Sequence, residues 1–349
     1  MVLSLKRLSN LMKITIRQIA EQLNLSIAAV SRALDGYPDI SPLTRQRVLD
    51  AAREMGYVPN RAARQLRRQK TDAIGYILPS GTPGFSEAFF AEFLIGLGDQ
   101  APRHNLDLLV STAGSSPVRE QDLYRTWVRS QKVDGFILNR IRLNDWRVRY
   151  LAENHIPFVA LERSLDGIEY PYIEVDNIGG VVSLVKHLHE QGFRRMAFIG
   201  GPEDLKIQVA RLAGYRQGLA DCGMAFDPEL VVEGDLSASG GYQAARRLRW
   251  LPNPPDAMVC LNDETAFGVL HAMHDLGLEI GRDVAVAGFD GVAASAHTRP
   301  ALTTLDIPVA EIAQNLVQML AQLLENKPLE ENGPALLPRL LVRASTGAH

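Results

Sequence analysis

The chain has 349 residues, of which 46% are hydrophobic and 22% are charged, with a formal net charge of −3. This length suits one small and two medium-sized domains, and no apolar run approaches the length that spans a bilayer. The first residues lack the apolar core of a signal peptide, so Cys222 and Cys260, the two cysteines, are expected to be reduced thiols of a cytoplasmic protein.

The charges are distributed unevenly along the chain. Residues 1–71 contain 13 Lys and Arg against 5 Asp and Glu, a net charge of +8, whereas the remainder contains 24 against 35, a net charge of −11. This asymmetry predicts a phosphate-binding surface at the N-terminal end of an otherwise acidic molecule.

The N-terminal region reads as a helical unit in which each helix follows a capping hydroxyl residue. The three predicted helices are Ile16–Leu23 after Thr15, Ile27–Leu34 after Ser26, and Pro42–Met55 after Ser41. Two short helices braced by a third form a helix-turn-helix, whose second helix reads the major groove of DNA. The alternative is a three-helix bundle without a DNA role.

Two segments of this region, IAEQLNLSIAAVSRAL and SPLTRQRVLDAAREMGYVPNRAARQL, resemble the lactose-repressor (LacI/GalR) family of bacterial transcription factors. In that family the segment that matches Asn60–Arg67 is a hinge helix. It folds on operator DNA, pairs with its dimer mate and wedges a leucine, here Leu66, into the minor groove, where it kinks the duplex. The alternative is a basic linker with one exposed leucine.

The resemblance divides the chain into a disordered extension (1–12), a helix-turn-helix domain (13–58), a hinge helix with linker (59–71) and an effector-binding and dimerisation domain (72–349). The residues predicted at the DNA interface are Thr15, Ile16, Ser26, Ile27, Ala28, Ser31, Arg32, Ser41, Thr44, Arg45, Asn60, Ala63, Leu66 and Arg67. Ile27 and Ala28 occupy the main base-reading positions, where apolar side chains can touch a thymine methyl group but form no bidentate hydrogen bonds. Arg32 matches the family's arginine and is the expected guanine contact.

From residue 72 onward, short apolar runs alternate with longer amphipathic stretches, which predicts doubly wound parallel sheets covered by helices. The predicted strands are 73–78, 106–110, 133–138, 157–161, 172–175, 196–199, 257–261 and 284–289. The predicted helices are 87–103, 117–131, 145–154, 177–191, 207–222 and 264–276. So many elements exceed one sheet, and two lobes are expected.

The resemblance implies a two-lobed periplasmic-binding-protein-like fold for this α/β domain, carried by VDNIGG (Val175–Gly180), LNDETAFGVL (Leu261–Leu270) and VAGFDG (Val286–Gly291). The family pattern crosses between the lobes three times, here near Asp176, Asp306 and Pro334. Lobe 1 is then expected at 72–176 and 306–334, and lobe 2 at 177–305 and 335–349. Helix 309–326 would belong to lobe 1 and strand 336–342 to lobe 2.

Open parallel sheets bind ligands at the carboxyl ends of their strands. Inspection of those ends, together with the resemblance, gives eight candidate effector-binding residues: Phe89, Phe90, Arg163, Arg211, Leu236, Asn262, Asp263 and Asp290. Aromatic faces with forked arginines and carboxylates suit a polyhydroxyl ligand.

Several of these residues have a structural alternative. Asn262 or Asp263 can cap a helix, and Asp290 can cap a turn. One of Phe89 and Phe90 is expected in the core. In the family, the residues that match Arg211, Asn262 and Asp290 hold the effector, and Leu236 stands where some sugar-binding members carry an aromatic residue.

The expected function is that of a cytoplasmic, homodimeric repressor that binds palindromic operator DNA and is controlled allosterically by a sugar or sugar derivative between its lobes. No cofactor, metal or membrane partner is expected. One alternative is a periplasmic-type sugar-binding protein for transport. The other is an enzyme, which the sequence disfavours because no nucleophile–base pair accompanies the carboxylates.

Overall fold

The computed structural model describes residues 14–57, 70–79, 88–329 and 335–347. The chain divides into two compact units, the first ending at Lys70 and the second beginning at Thr71. The predicted extension 1–12 and the hinge residues Asn60, Ala63, Leu66 and Arg67 lie outside the described residues. No helix of the described ranges combines the length and apolarity that a membrane crossing requires.

The first unit contains three helices, α1 (Ile16–Leu23), α2 (Ile27–Leu34) and α3 (Pro42–Glu54). The predicted caps of the second and third helices are present: Ser26 Oγ accepts from the Ala29 amide at 3.0 Å and Ser41 Oγ accepts from the Thr44 amide at 3.2 Å. The core of the unit takes one or more residues from each helix, with Ile19, Val30 and Val48 fully buried. The helix-turn-helix architecture is therefore confirmed.

The second unit is built on two sheets, and the first of them has five parallel strands in the order β2-β1-β3-β4-β5. Its strands are β1 (Ala73–Leu78), β2 (Asp107–Thr112), β3 (Gly135–Leu138), β4 (Phe158–Leu161) and β5 (Tyr172–Ile173). Its helices are α4 (Ala88–Gln100), α5 (Pro117–Arg129), α6 (Trp146–Glu153) and, from far along the chain, α11 (Val309–Leu324). We call this layered unit lobe 1.

The second sheet has six strands in the order β11-β10-β9-β8-β6-β7 and forms lobe 2. Its strands are β6 (Met196–Ile199), β7 (Val231–Val232), β8 (Ala257–Cys260), β9 (Ala285–Asp290), β10 (Thr303–Asp306) and β11 (Arg339–Leu341). Its helices are α7 (Asn177–Glu190), α8 (Lys206–Asp221), α9 (Ala238–Arg249) and α10 (Asp263–Asp275). Only β11 runs antiparallel to its neighbour among these described strands.

Helix α9 and strands β7 and β10 were not predicted from the sequence. The first turn of the helix contains Ser239-Gly240-Gly241, and glycine lowers helix propensity by about 1 kcal/mol per residue. The structure explains Gly241, since a Cβ atom there would lie 2.1 Å from the carbonyl oxygen of Thr265 on α10. The residue that weakens the helix signal is therefore the one that lets the two helices touch.

We predict that Gly241→Ala lowers the free energy of unfolding of the second unit by about 1–3 kcal/mol, because α9 and α10 must separate to admit the methyl group. The measurement is urea unfolding followed by tryptophan fluorescence, which reports this unit alone because all three tryptophans lie in it. Gln243→Ala, on the exposed face of the same helix, is the control and should change stability by less than about 0.5 kcal/mol. Equal stability of the two variants would contradict this account of the glycine.

Candidate functional site

A cavity lies between the two lobes, where the carboxyl ends of β3, β4, β8 and β9 approach one another. Its lining comes from both lobes and from the crossovers between them: Phe89, Arg140, Leu161, Glu162, Val175, Ile207, Arg211, Leu236, Asn262, Asp290 and Ile307. Five of the eight candidate residues therefore line it, namely Phe89, Arg211, Leu236, Asn262 and Asp290. Four of these five, all except Leu236, were selected at the carboxyl ends of the predicted strands. Their role in ligand binding stays a prediction.

Phe90 and Arg163 are corrections to the predicted set. Phe90 is fully buried in the core of lobe 1, because neighbouring residues of a helix point about 100° apart and only Phe89 faces the cavity. Arg163 does not line the cavity; its Nη2 atom lies 2.5 Å from Glu169 Oε1. Its predecessor Glu162 lines the cavity instead, so the prediction chose the wrong member of the pair.

Asp263 is the third correction, because it does not line the cavity. Its carboxyl group instead makes hydrogen bonds that connect several structural elements. Its Oδ1 atom accepts from Thr304 Oγ1 at 2.5 Å and its Oδ2 atom accepts from the Val292 amide at 3.0 Å. Burial raises the pKa of Asp263 to about 7 despite these bonds. The carboxyl group thereby joins the start of α10 to β10 and to the loop after β9.

Arg211 is 4% exposed, and several contacts fix the position of its side chain in the cavity. Its Nε atom donates to Asn177 Oδ1 at 2.8 Å, and its Nη1 atom donates to the Leu261 carbonyl and lies 3.8 Å from Asp290 Oδ1. The guanidinium carbon lies 3.4 Å from the centroid of the Phe289 ring, a cation–π contact. These contacts pre-orient a forked donor at the cavity wall, where it can serve a pair of ligand oxygens.

Asn262 caps a helix and also lines the cavity. Its Oδ1 atom caps α10 by accepting from the Thr265 amide at 3.1 Å, and its Nδ2 atom donates to the Leu236 carbonyl at 3.2 Å. Leu236 and Asp290 have φ angles of 67° and 123°. Such backbone conformations cost a non-glycine residue about 1–3 kcal/mol each and cluster at binding sites.

Glu162 is a cavity residue that the sequence reasoning missed. It is 2% exposed, follows β4 with a φ of 78°, and its Oε1 atom accepts from Asn177 Nδ2 at 2.8 Å. Burial and the nearby Glu174 raise the pKa of Glu162 to about 8, while Glu174 is bound by Lys206 at 3.0 Å. At neutral pH this carboxyl group is therefore largely protonated and can donate as well as accept.

Two more cavity residues could have been found from the sequence. Arg140 and Glu162 both come within two residues of the carboxyl end of a predicted strand, which is the signal that selected the other candidates. No group of His, Cys, Asp and Glu in the described part of the chain could hold a metal ion.

The predicted base-reading surface of the first unit is exposed. Ser26, Ile27 and Ala28 are exposed at the start of α2, and Thr15 and Ser41 are exposed before α1 and α3; Ile16, Ser31, Thr44 and Arg45 are half-buried. Arg32 is exposed but pairs with Asp39 at 2.5 Å. An exposed ion pair is worth at most about 1 kcal/mol, so a stronger partner can readily replace Asp39.

We predict that Glu162→Gln stabilises the second unit increasingly as the pH rises from 5 to 8. The folded protein keeps the Glu162 proton up to about pH 8, whereas the unfolded chain loses it near the ordinary value of 4.5, so the wild type loses stability across this range. The gain in unfolding free energy at pH 8 over pH 5 should be at least about 1 kcal/mol. Urea titrations at both pH values measure it.

The control for this experiment is Glu153→Gln, because that side chain is exposed and stays in solvent on unfolding. The stability difference between this variant and the wild type should be the same at both pH values. A stability gain from Glu162→Gln that is also independent of pH would contradict the protonation of Glu162 in the folded state.

Comparison with known proteins agrees with both units. Residues 15–60 match the family model of bacterial regulatory proteins of the lacI family, and residues 185–346 match a periplasmic-binding-protein-like domain. The HTH-type transcriptional regulator AglR of Rhizobium meliloti (strain 1021) is 37% identical over 282 residues, covering 80% of this chain and 79% of AglR.

Two solved structures cover nearly the whole chain. The complex of the transcriptional regulator CelR with cellobiose is 30% identical, with a TM-score of 0.72 over 95% of this chain and 99% of CelR. The lac repressor dimer bound to operator and the anti-inducer ONPF is 27% identical, with a TM-score of 0.80 over 96% of this chain and 99% of the repressor. The chain therefore belongs to the lacI family of bacterial regulatory proteins.

Proposed function

We propose that this protein is a homodimeric, operator-binding transcription regulator, acting in the cytoplasm as a repressor, whose grip on DNA is controlled by a carbohydrate bound between its lobes. The observation that carries the proposal is the interlobe cavity, which is lined by Arg211, Asn262, Asp290 and Phe89 in a chain that also contains a helix-turn-helix unit. Forked donors, carboxyl groups and an aromatic face together suit a ligand rich in hydroxyl groups.

The lobes touch at the edge of the cavity, and this contact offers a route for control. The Leu143 amide donates to the Asp204 carbonyl at 2.8 Å, the Lys206 amide donates to the Ile141 carbonyl at 2.9 Å, and Arg142 Nε lies 3.2 Å from Asp204 Oδ2. A ligand that binds one lobe arrangement better than another shifts their populations by the difference in affinity. The fold of a dimeric repressor supports transmission of that shift to paired DNA-binding units.

DNA recognition is expected to combine base contacts from three helices without net charge and phosphate contacts from the basic segments on either side of them. Residues 14–57 contain five Lys and Arg and five Asp and Glu, so the excess positive charge of the N-terminal region lies in the segments that flank the three helices. Phosphate contacts from such segments supply affinity that falls with salt, whereas base contacts from α2 supply specificity.

Two other classes of protein were considered. A solute-binding protein for transport shares the two-lobed fold, but the helix-turn-helix unit and the regulator relatives favour a DNA-binding role. The relatives named above are regulators rather than enzymes, and we infer that this chain also lacks a catalytic role.

The test of the proposal is selection of binding sites from random duplexes with the full-length protein, followed by electrophoretic shift with and without cellobiose, maltose, sucrose and trehalose. We expect a palindromic site, affinity that falls as salt rises, and a change in affinity with at least one sugar. Absence of salt-sensitive, sequence-specific binding would reject the proposal.

Arg32→Ala should relax base preference at one position in each half-site, by about 1–3 kcal/mol, because a guanidinium group reads guanine through two hydrogen bonds. Competition binding with duplexes substituted at each position measures this. Arg53→Ala, whose side chain is 77% exposed at the end of α3, is the control and should leave the preference unchanged. An identical preference profile for Arg32→Ala and Arg53→Ala would remove Arg32 from the reading surface.

Arg211→Ala should bind operator but no longer respond to the sugar that affects the wild type, because the cavity loses its pre-oriented donor. Arg211→Lys keeps the positive charge near Asp290 but not the fork, and should retain a weakened response. Arg216→Ala, on the exposed side of the same helix, is the control. A normal response of Arg211→Ala, measured by shift titration, would place the ligand elsewhere.

A further inference from the structure

The segment that follows β3 is held by a buried ion pair between Arg147 and Asp145, and the buried Glu120 lies 3.8 Å from Arg147 Nη1. Arg147 and Asp145 are at most 1% exposed, and Arg147 Nε and Nη2 donate to the two carboxylate oxygens of Asp145 at 2.9 and 2.6 Å. Asp145 also accepts from the backbone amides of Arg142 and Arg147 at 3.0 and 2.9 Å. A buried pair in which each charge satisfies the other fixes the conformation of the segment around it.

Arg147 fixes the backbone at Arg140 in particular. Its Nη2 atom donates to the carbonyl oxygens of Asn139 and Arg140 at 3.1 and 3.0 Å. These bonds hold Arg140 at a φ of 48°, a left-handed conformation that costs a non-glycine residue about 1 kcal/mol or more. The fold maintains this conformation at the wall of the cavity, which Arg140 lines.

The Arg140 side chain lies against a core aromatic ring of lobe 1. Its guanidinium carbon lies 4.6 Å from the centroid of the Phe90 ring, which is itself buried in the core of lobe 1. Arg140 and Arg211 both line the same cavity. Lobe 1 thus contributes Arg140 to the cavity that receives Arg211 from lobe 2.

The charges of the cavity indicate which ligand two arginines would hold. Asp290 lies 3.8 Å from Arg211, and Glu162 contributes a second carboxyl group. A phosphate would meet the Asp290 carboxylate as well as the cations, whereas a hydroxyl group can accept from a guanidinium and donate to that carboxylate at once. Glu162, which is largely protonated, can accept from or donate to a hydroxyl group. The mixture of signs favours an uncharged, hydroxyl-rich ligand.

We infer that Arg140 is an effector-contacting, specificity-determining residue that binds hydroxyl oxygens of an uncharged carbohydrate from lobe 1, as Arg211 does from lobe 2. This inference rests on the proposed function, which assigns the cavity to a sugar effector. Arg147 and Asp145 act through Arg140 as positioning residues. The same segment continues to Arg142, which reaches Asp204 of lobe 2 at 3.2 Å, so a ligand held by Arg140 contacts a segment that also joins the lobes.

The experiment is calorimetric titration of the full-length protein with cellobiose, maltose, sucrose, trehalose and, as a charged probe, glucose 6-phosphate. The variants are Arg140→Ala and Arg140→Lys, with Arg149→Ala as the matched control because Arg149 is an exposed arginine on the adjacent helix α6. Thermal unfolding of each variant verifies that it is folded. Arg140 is only half-buried, so its replacement should not prevent folding.

We expect at least one neutral sugar to bind the wild type and Arg149→Ala equally, and Arg140→Ala at least tenfold more weakly. Arg140→Lys should lie between them, because it keeps the charge and loses the fork. Affinity of Arg140→Ala within twofold of the wild type would overturn the role of Arg140 while leaving the proposed function intact. Binding of glucose 6-phosphate alone would overturn the uncharged ligand, and wild-type protein that binds no probe would reject both this inference and the sugar effector of the proposed function.

Discussion

The structure of the cavity depends on a buried cation that must be neutralised without water. Arg211 is almost fully buried, and removing a charge from water costs several kcal/mol unless partners replace the solvent. Asn177, Asp290 and the Phe289 ring are those partners. Because Asn177 also donates to Glu162 of lobe 1, the hydrogen bonds that stabilise Arg211 continue from lobe 2 into lobe 1. The requirement to solvate one guanidinium thus links the two lobes through the binding site.

A second set of contacts lies at the edge of the cavity and has a different character. Backbone hydrogen bonds between 141–143 and 204–206 join the lobes, and the Lys206–Glu174 and Arg142–Asp204 pairs flank them. Backbone bonds and partly exposed ion pairs can be exchanged for water at a cost of about 1 kcal/mol each. Breaking the buried contacts around Arg211 costs more, because it leaves a desolvated charge without its partner.

In the proposed function, base contacts and phosphate contacts come from different parts of the N-terminal region. Its three helices carry balanced charge, and the two apolar residues at the start of α2, Ile27 and Ala28, offer shape and methyl contacts rather than hydrogen bonds. In the proposed function Arg32 is the polar contact to a base, and its exposed ion pair with Asp39 is weak enough to be exchanged for that contact. The basic segments on either side of the three helices then supply the net electrostatic attraction to the duplex.

The class of fold and most of the elements could be predicted from the sequence alone. Helical spacing and hydroxyl caps gave the bounds of α1 and α2, and alternating apolar runs gave most strands of both sheets, because these signals are local. The carboxyl-end rule also found Arg211, Asn262 and Asp290 as residues that line one cavity. The number of these elements exceeds one sheet and predicted two lobes, and the family motifs added the periplasmic-binding-protein-like arrangement.

Which neighbour in a pair faces the cavity could be seen only in the folded structure. Glu162 rather than Arg163, Phe89 rather than Phe90, and Asn262 rather than Asp263 line the cavity, because the rotation of a backbone at a strand end or helix start depends on long-range partners. Helix α9 could not be predicted for the same reason. Gly241 lowers the local helix propensity, and the close contact that requires this glycine forms only when Thr265 of α10 lies against it. The position of Arg140 at the cavity wall depends on Arg147, whose hydrogen bonds to the 139–140 backbone exist only in the folded protein.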